Sequence, residues 1–130
     1  GTFLTLNHAH TALFGAFGEL AIGLVYFCMR YVHADRPGFS EKLGLWAFWL
    51  YNGGLVLWIL LNFFPIGWPQ LDAVYEHGLA YARSSAFYGK TLLWQWMRLP
   101  GDVLFAAAAL LMAWDFITKL RPLARPHASA

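Results

Sequence analysis

Three stretches of this chain are apolar for longer than a soluble helix requires, and the polar residues collect between them. Residues 9–32 are interrupted by charge only at Glu19 and, near the end, Arg30; residues 43–64 hold no Asp, Glu, Lys or Arg; residues 99–120 keep Asp102, Asp115 and Lys119 towards their ends. A bilayer-spanning helix needs about 20 mostly apolar residues, because the hydrocarbon core is roughly 30 Å thick and a helix rises 1.5 Å per residue. Each stretch is therefore read as a span. Asn7 is placed to N-cap the first, Arg36-Pro37-Gly38 to break the chain after it, Pro65 to close the second, and Pro100-Gly101 to open the third. Between Pro65 and Arg98, Leu71, Val74, Tyr75, Leu79 and Ala82 recur at helical spacing among Gln70, Glu76, His77 and Arg83. That pattern predicts an amphipathic helix lying on the membrane surface, with Trp94 and Trp96 anchoring the return into the bilayer. The expected fold class is an all-α membrane protein with three transmembrane helices and one interfacial helix.

Composition excludes the alternatives. Of 130 residues, 59% are hydrophobic and 12% charged, against roughly 45–50% and about 25% in soluble domains. A chain this small has too much surface to hide the excess in a core. The net charge of +2 and the lack of a basic run argue against a nucleic-acid partner. Cys28 stands alone, so it forms no intrachain disulfide and reads as a small apolar residue within a helix. The sequence starts at Gly1-Thr2-Phe3 without an initiator Met or a basic leader. It is therefore expected to be a piece of a longer chain, with the missing N-terminal part as its main partner. Arg30, Arg36 and Lys42 in the first connection, and Lys119, Arg121 and Arg125 in the tail, outweigh the scattered Arg83, Lys90 and Arg98. The positive-inside rule then places the first connection and the C-terminus in the cytoplasm.

Chemistry enters at Asn7-His8-Ala9-His10-Thr11. Residues two apart on a helix are turned by about 200°, so the imidazoles face nearly opposite ways and do not share one metal. Helical zinc pairs use spacing four, as in HExxH. Spacing two suits a helix wedged between two cofactors with one ligand for each. Behind His10 lie Phe14, Phe17, Ala21 and Leu24, an apolar wall for a flat macrocycle; behind His8 lie Thr11, Ala12, Gly15, Glu19 and Ile22. Neutral imidazole is a common axial ligand of haem iron. A plainer reading has both histidines bonded to headgroups or backbone at the interface.

Residues 7–18, Asn-His-Ala-His-Thr-Ala-Leu-Phe-Gly-Ala-Phe-Gly, resemble the tenth core helix of the haem–copper oxidase superfamily. Glu76-His77-Gly78-Leu79, Tyr81-Ala82-Arg83-Ser84 and Arg98-Leu99-Pro100-Gly101-Asp102 look like the quinol-dependent nitric oxide reductases within it. The resemblance covers roughly residues 5–120 and implies the last three helices of a twelve-helix catalytic bundle, inactive as this segment alone. It implies two haem b groups, with His8 the ligand of the high-spin haem iron and His10 a ligand of the low-spin haem iron. It also implies a non-haem iron whose His and Glu ligands lie upstream, outside this chain. The implied reaction is respiratory: two NO, two protons and two electrons from quinol give nitrous oxide and water, in the bacterial inner membrane. An oxygen-reducing member of the superfamily, or a haem-free three-span accessory subunit, are the competing readings.

Five other sets of residues enter the reading. Glu19 lies eleven residues after His8, about 20° off its face and roughly 16 Å deeper. An intramembrane acid is a functional candidate by default, here for a proton path, the alternative being a hydrogen bond to a neighbouring helix. Asp102 is a first-turn acid favoured by the helix dipole, and the resemblance adds a role in a quinol site. Glu76 and His77 read as a structural pair, and Asn52-Gly53-Gly54 as a place where helices approach closely. His33, Asp115 and His127 read as solvated residues at helix ends or in the tail.

Overall fold

The computed structural model describes residues 2–33 and 39–121, so Arg36-Pro37-Gly38, Arg125 and His127 lie outside the described residues. The described residues are almost wholly helical and form three long helical runs, each apolar and long enough to cross a membrane: Phe3–Val32, Lys42–Ala82 and Leu92–Leu120. The first comprises α1 (Phe3–Ala12), a π-helical stretch Leu13–Gly18, and α2 (Glu19–Val32). The second comprises α3 (Lys42–Trp58), a π-helical stretch Ile59–Gly67, and α4 (Trp68–Ala82). Two short helices, α5 (Ser85–Lys90) and α6 (Leu92–Trp96), lead to α7 (Leu99–Leu120), which coincides with the third expected span.

Several boundaries differ from those expected. The first helix begins at Phe3, with Thr2 as N-cap. Asn7 is thus an interior residue; it is buried, and its Nδ2 donates to Asn62 Oδ1 at 3.3 Å. Pro65 does not end the second helix. Proline lacks an N–H and crowds the carbonyl four residues back, which an α-turn cannot absorb without kinking. Here the chain widens into i→i+5 pairing around it and runs on into α4. The expected surface helix is therefore a continuation of the second span, kinked at Gly78, whose φ of 80° and ψ of 166° suit only glycine. Of its expected apolar positions, Ala82 is buried and Val74 packs on the buried cluster. Tyr75 and Leu79 are exposed, whereas Gln70 is fully buried. Gln70 is satisfied there: its Oε1 accepts from the Phe3 N–H at 2.6 Å and its Nε2 donates to Ala82 O at 2.7 Å and to Tyr88 Oη at 3.2 Å. Trp94 and Trp96 fall in α6, both exposed.

The most extensive pairing is between α3 and α7. It is closest where Gly54 meets Gly101. A Cβ built on Gly54 would stand 2.9 Å from Gly101 O, and one on Gly101 would stand 2.8 Å from Gly54 O. Backbone meets backbone, the close approach that small residues allow in membrane helices and that Asn52-Gly53-Gly54 suggested. At the far end of α2 and α7, His33 and Asp115 are buried, contrary to the expectation of solvated residues. The reason is mutual satisfaction. Asp115 Oδ2 accepts from Tyr26 Oη at 2.8 Å and pairs with Lys119 Nζ, while both His33 ring nitrogens meet carbonyl oxygens.

Candidate functional site

α1 presents His8 and His10 on different sides, as α-helical geometry across residues 8–10 requires. His10 lines a half-open cavity of about 510 Å³ bordered by α1, α3 with its π-helical extension, and the start of α7. Trp58 stands beside the imidazole, ring centroids 5.7 Å apart. Phe14 and Phe105 line the same cavity, with rings 4.4 Å apart, and both pack on Tyr51 at 5.3 and 4.7 Å. Arg98 and Asp102 line it as well, joined by a hydrogen bond from Arg98 Nε to Asp102 Oδ2 at 2.8 Å. Both imidazoles are exposed, and the His8 side chain makes no hydrogen bond among the described residues.

The hydrogen bond of His10 settles which nitrogen is free. Its Nδ1 lies 2.8 Å from Leu6 O. A carbonyl only accepts, so this bond takes a proton on Nδ1, and Nε2 is the ring nitrogen left without a partner among the described residues. That is the arrangement of a metal-ligating histidine, whose second nitrogen is bonded to a backbone carbonyl or carboxylate. A haem has a flat apolar ring, an iron that takes imidazole, and two carboxylates. The residues present fit it: an oriented imidazole, aromatic walls, and one exposed guanidinium. Among the described residues no three His, Cys, Asp or Glu side chains gather as a metal site.

Not every residue singled out from sequence joins this cavity. Of the wall expected behind His10, Phe14 lines it, whereas Phe17 and Leu24 are exposed. Gly15, expected on the His8 side, faces Leu55 of α3, 3.2 Å from the position of a Cβ. The cause is the π-helical stretch 13–18, which breaks the 100° count that carried residues from α1 into α2. For the same reason Glu19 is not located by counting from His8. It lies in contact with α3, with Asn52 Nδ2 3.5 Å from its Oε1, and lines a separate cleft of about 170 Å³. Glu76 and His77 form an exposed pair at 3.7 Å beside the Gly78 kink. Asp102 does share the His10 cavity. Sequence reasoning missed Arg98, Trp58 and Asn62 as cavity residues. Arg98 had a signal, its place in the Arg98–Asp102 string; Trp58 and Asn62 had none beyond lying on an apolar helix.

The profile of the cytochrome c and quinol oxidase polypeptide I family matches residues 1–104. The chain is 28% identical over 116 residues to cytochrome c oxidase subunit 1 of Rhodobacter capsulatus, covering 85% of this chain and 21% of that protein. It is 25% identical over 133 aligned positions to a cytochrome c oxidase subunit 1 homolog of Azorhizobium caulinodans, covering 96% of this chain and 24% of that protein. It thus spans about a fifth to a quarter of the length of these curated relatives. With a profile match over most of its length and three helices able to span a bilayer, the chain belongs to the cytochrome c and quinol oxidase polypeptide I family, the haem–copper oxidase subunit I proteins of the membrane.

Proposed function

We propose that this chain forms the haem-ligating end of a quinol-dependent nitric oxide reductase. The observation that carries the haem assignment is the oriented His10 imidazole in an apolar cavity with Arg98 and Asp102 at one side. His10 would hold a low-spin haem b, and His8, turned away by the two-residue spacing, a high-spin haem b paired with a non-haem iron ligated from elsewhere. When bound, the two haems supply electron transfer and the iron at which NO is reduced. The chain's own part is positional. The Nδ1–H bond to Leu6 O fixes the ring plane of His10 and strengthens Nε2 as a donor. Asn62 holds the helix itself, receiving Asn7 and donating to Trp94 O at 3.0 Å. Arg98 offers a guanidinium suited to a carboxylate. The Asp102 carboxylate is able to accept a hydrogen bond from a quinol hydroxyl as it is oxidised.

The nitric oxide branch is supported by the strings at residues 76–79, 81–84 and 98–102. The oxygen-reducing reading is favoured by a different observation, the cytochrome c oxidase names of the relatives. The basic first connection and tail support a bacterial inner membrane with both facing the cytoplasm, and partners comprising lipid, quinol and the remaining helices of the catalytic subunit. The test uses the full-length protein purified from membranes. Nitrous oxide formed from NO with quinol, with iron and no copper at the second metal, is expected. Copper with oxygen consumption would favour the other branch, and a preparation without haem would leave the accessory-subunit reading. In the same protein, His10→Ala should lose the low-spin signature and His8→Ala the high-spin one, each leaving the other haem in place.

A further inference from the structure

The bond to Leu6 O fixes the His10 ring against its own helix, but it does not fix that helix against the rest of the cavity. The second helical run does so, through contacts in antiparallel order. Leu4 lies against Gly67, Asn7 meets Asn62, His10 stands beside Trp58, and Gly15 faces Leu55. Packing and ring contacts tolerate sliding and rotation. Of these contacts Asn7–Asn62 is the one hydrogen bond, constrained in both length and direction.

Both asparagines are 1% exposed, and both line the His10 cavity. Asn7 sits on α1 about one turn before His10. The Asn62 amide is used at both ends. Its Nδ2 donates to Trp94 O at 3.0 Å, and its Oδ1 accepts from Asn7 Nδ2 at 3.3 Å. Trp94 O can only accept, which turns Nδ2 towards it and leaves Oδ1 for α1. This carbonyl is one of those that the end of α6 leaves without an intrahelical N–H. Four residues further on stands Arg98, paired with Asp102 at the same cavity. Buried this far, an amide left unpaired is costly, so the three groups hold one another in place.

We propose that Asn62 is a positioning residue for electron transfer. It ties the ligand helix, through Asn7, to the segment that carries Arg98 and Asp102, through Trp94. Rotation of α1 about its axis would swing His10 around the cavity and turn its ring plane. Slippage of α6 would carry Arg98–Asp102 away from that ring. One planar amide bonded on both sides opposes both movements, so Asn62 acts through His10 on one side and through Asp102 on the other. This rests on the reading of His10 as a haem ligand and of Asp102 as part of the quinol site.

The test uses the full-length holoenzyme in lipid nanodiscs. It follows the electron paramagnetic resonance signal and midpoint potential of the low-spin haem, the quinol KM and kcat, and the denaturation midpoint. Asn7→Leu removes the bond to α1 and leaves Asn62–Trp94 intact, so the haem signal and potential should shift while KM stays near the wild-type value. Asn62→Leu removes both bonds, and the same shift should come with a severalfold rise in KM. In Asn7→Leu/Asn62→Leu two apolar side chains meet. Stability should largely return there while the haem signal stays shifted, and this variant decides the matter if a single change fails to assemble. Gln70→Leu is the control. It cuts the other buried amide tied to α1, at Phe3 and so about two turns from His10. It should lower stability without moving the haem signal. An unmoved signal in Asn62→Leu, a signal that returns with stability in the double variant, or an equal shift in Gln70→Leu would overturn the proposal. A wild-type preparation without a low-spin haem, or without quinol oxidation, would instead overturn the reading on which it rests.

Discussion

Gly54→Ala tests the packing on which the His10 cavity depends. The added methyl would lie 2.9 Å from Gly101 O and 3.2 Å from Phe105 N, both backbone atoms of α7. A side chain in the way swings aside, but atoms fixed in a helical hydrogen-bond ladder do not, so α3 and α7 must separate. Overpacking of this kind costs about 1–3 kcal/mol. Against it stands the roughly 1 kcal/mol by which alanine favours a helix over glycine. Gly53→Ala isolates that second effect, because its methyl would meet only Leu104 Cδ1 at 3.9 Å, an ordinary contact. Gly53→Ala should therefore be neutral or slightly stabilising, and Gly54→Ala less stable than it by about 1–3 kcal/mol. Denaturation of the full-length enzyme in mild detergent, followed by haem absorbance and tryptophan fluorescence, measures the difference. Gly54 and Gly101 also line the His10 cavity, so the haem spectrum should broaden with the loss of stability. The double variant Gly54→Ala/Gly101→Ala should cost less than the sum of the singles, since both press on one contact. Equal stabilities for Gly53→Ala and Gly54→Ala would refute the argument.

Three further outcomes follow from contacts elsewhere. Asp115→Ala leaves Lys119 buried and unpaired, and should destabilise the protein by about 3–5 kcal/mol, whereas Asp115→Leu/Lys119→Met should recover most of that loss in the same denaturation assay. Gln70→Leu removes three hydrogen bonds and leaves the Phe3 N–H and Ala82 carbonyl unmet. It should cost about 1–3 kcal/mol for each group left without a partner, visible as faster amide exchange at Phe3 and in α4. Asp102→Ala should raise the quinol KM with little change in denaturation midpoint, because its pairing with Arg98 is largely exposed and surface pairs contribute roughly 0–1 kcal/mol. An unchanged KM would remove Asp102 from the quinol site.

Much of this protein was legible without coordinates, for a reason that lies in its solvent. In a bilayer each span must satisfy its own backbone, so long apolar stretches are helices whatever they pack against. Residues 99–120, the membrane class, and the opposed faces of His8 and His10 depend only on such local rules. What failed depended on partners or on broken periodicity. Pro65 reads as a stop until i→i+5 pairing lets the helix continue, and the π-helical stretch at 13–18 moves Phe17, Gly15 and Glu19 off the faces that even counting assigns them. Asn7, Gln70, His33 and Asp115 read as capping or solvated groups because polar side chains usually are. Only the folded chain supplies Asn62 to Asn7, Phe3 and Ala82 to Gln70, and Tyr26 and Lys119 to Asp115. The sequence by itself determined which segments are helices in lipid, since that follows from each residue's own chemistry. The tertiary structure alone decided which polar groups are buried and which side chains share the His10 cavity, because burial is tolerable only when a partner distant in the chain is brought within bonding distance.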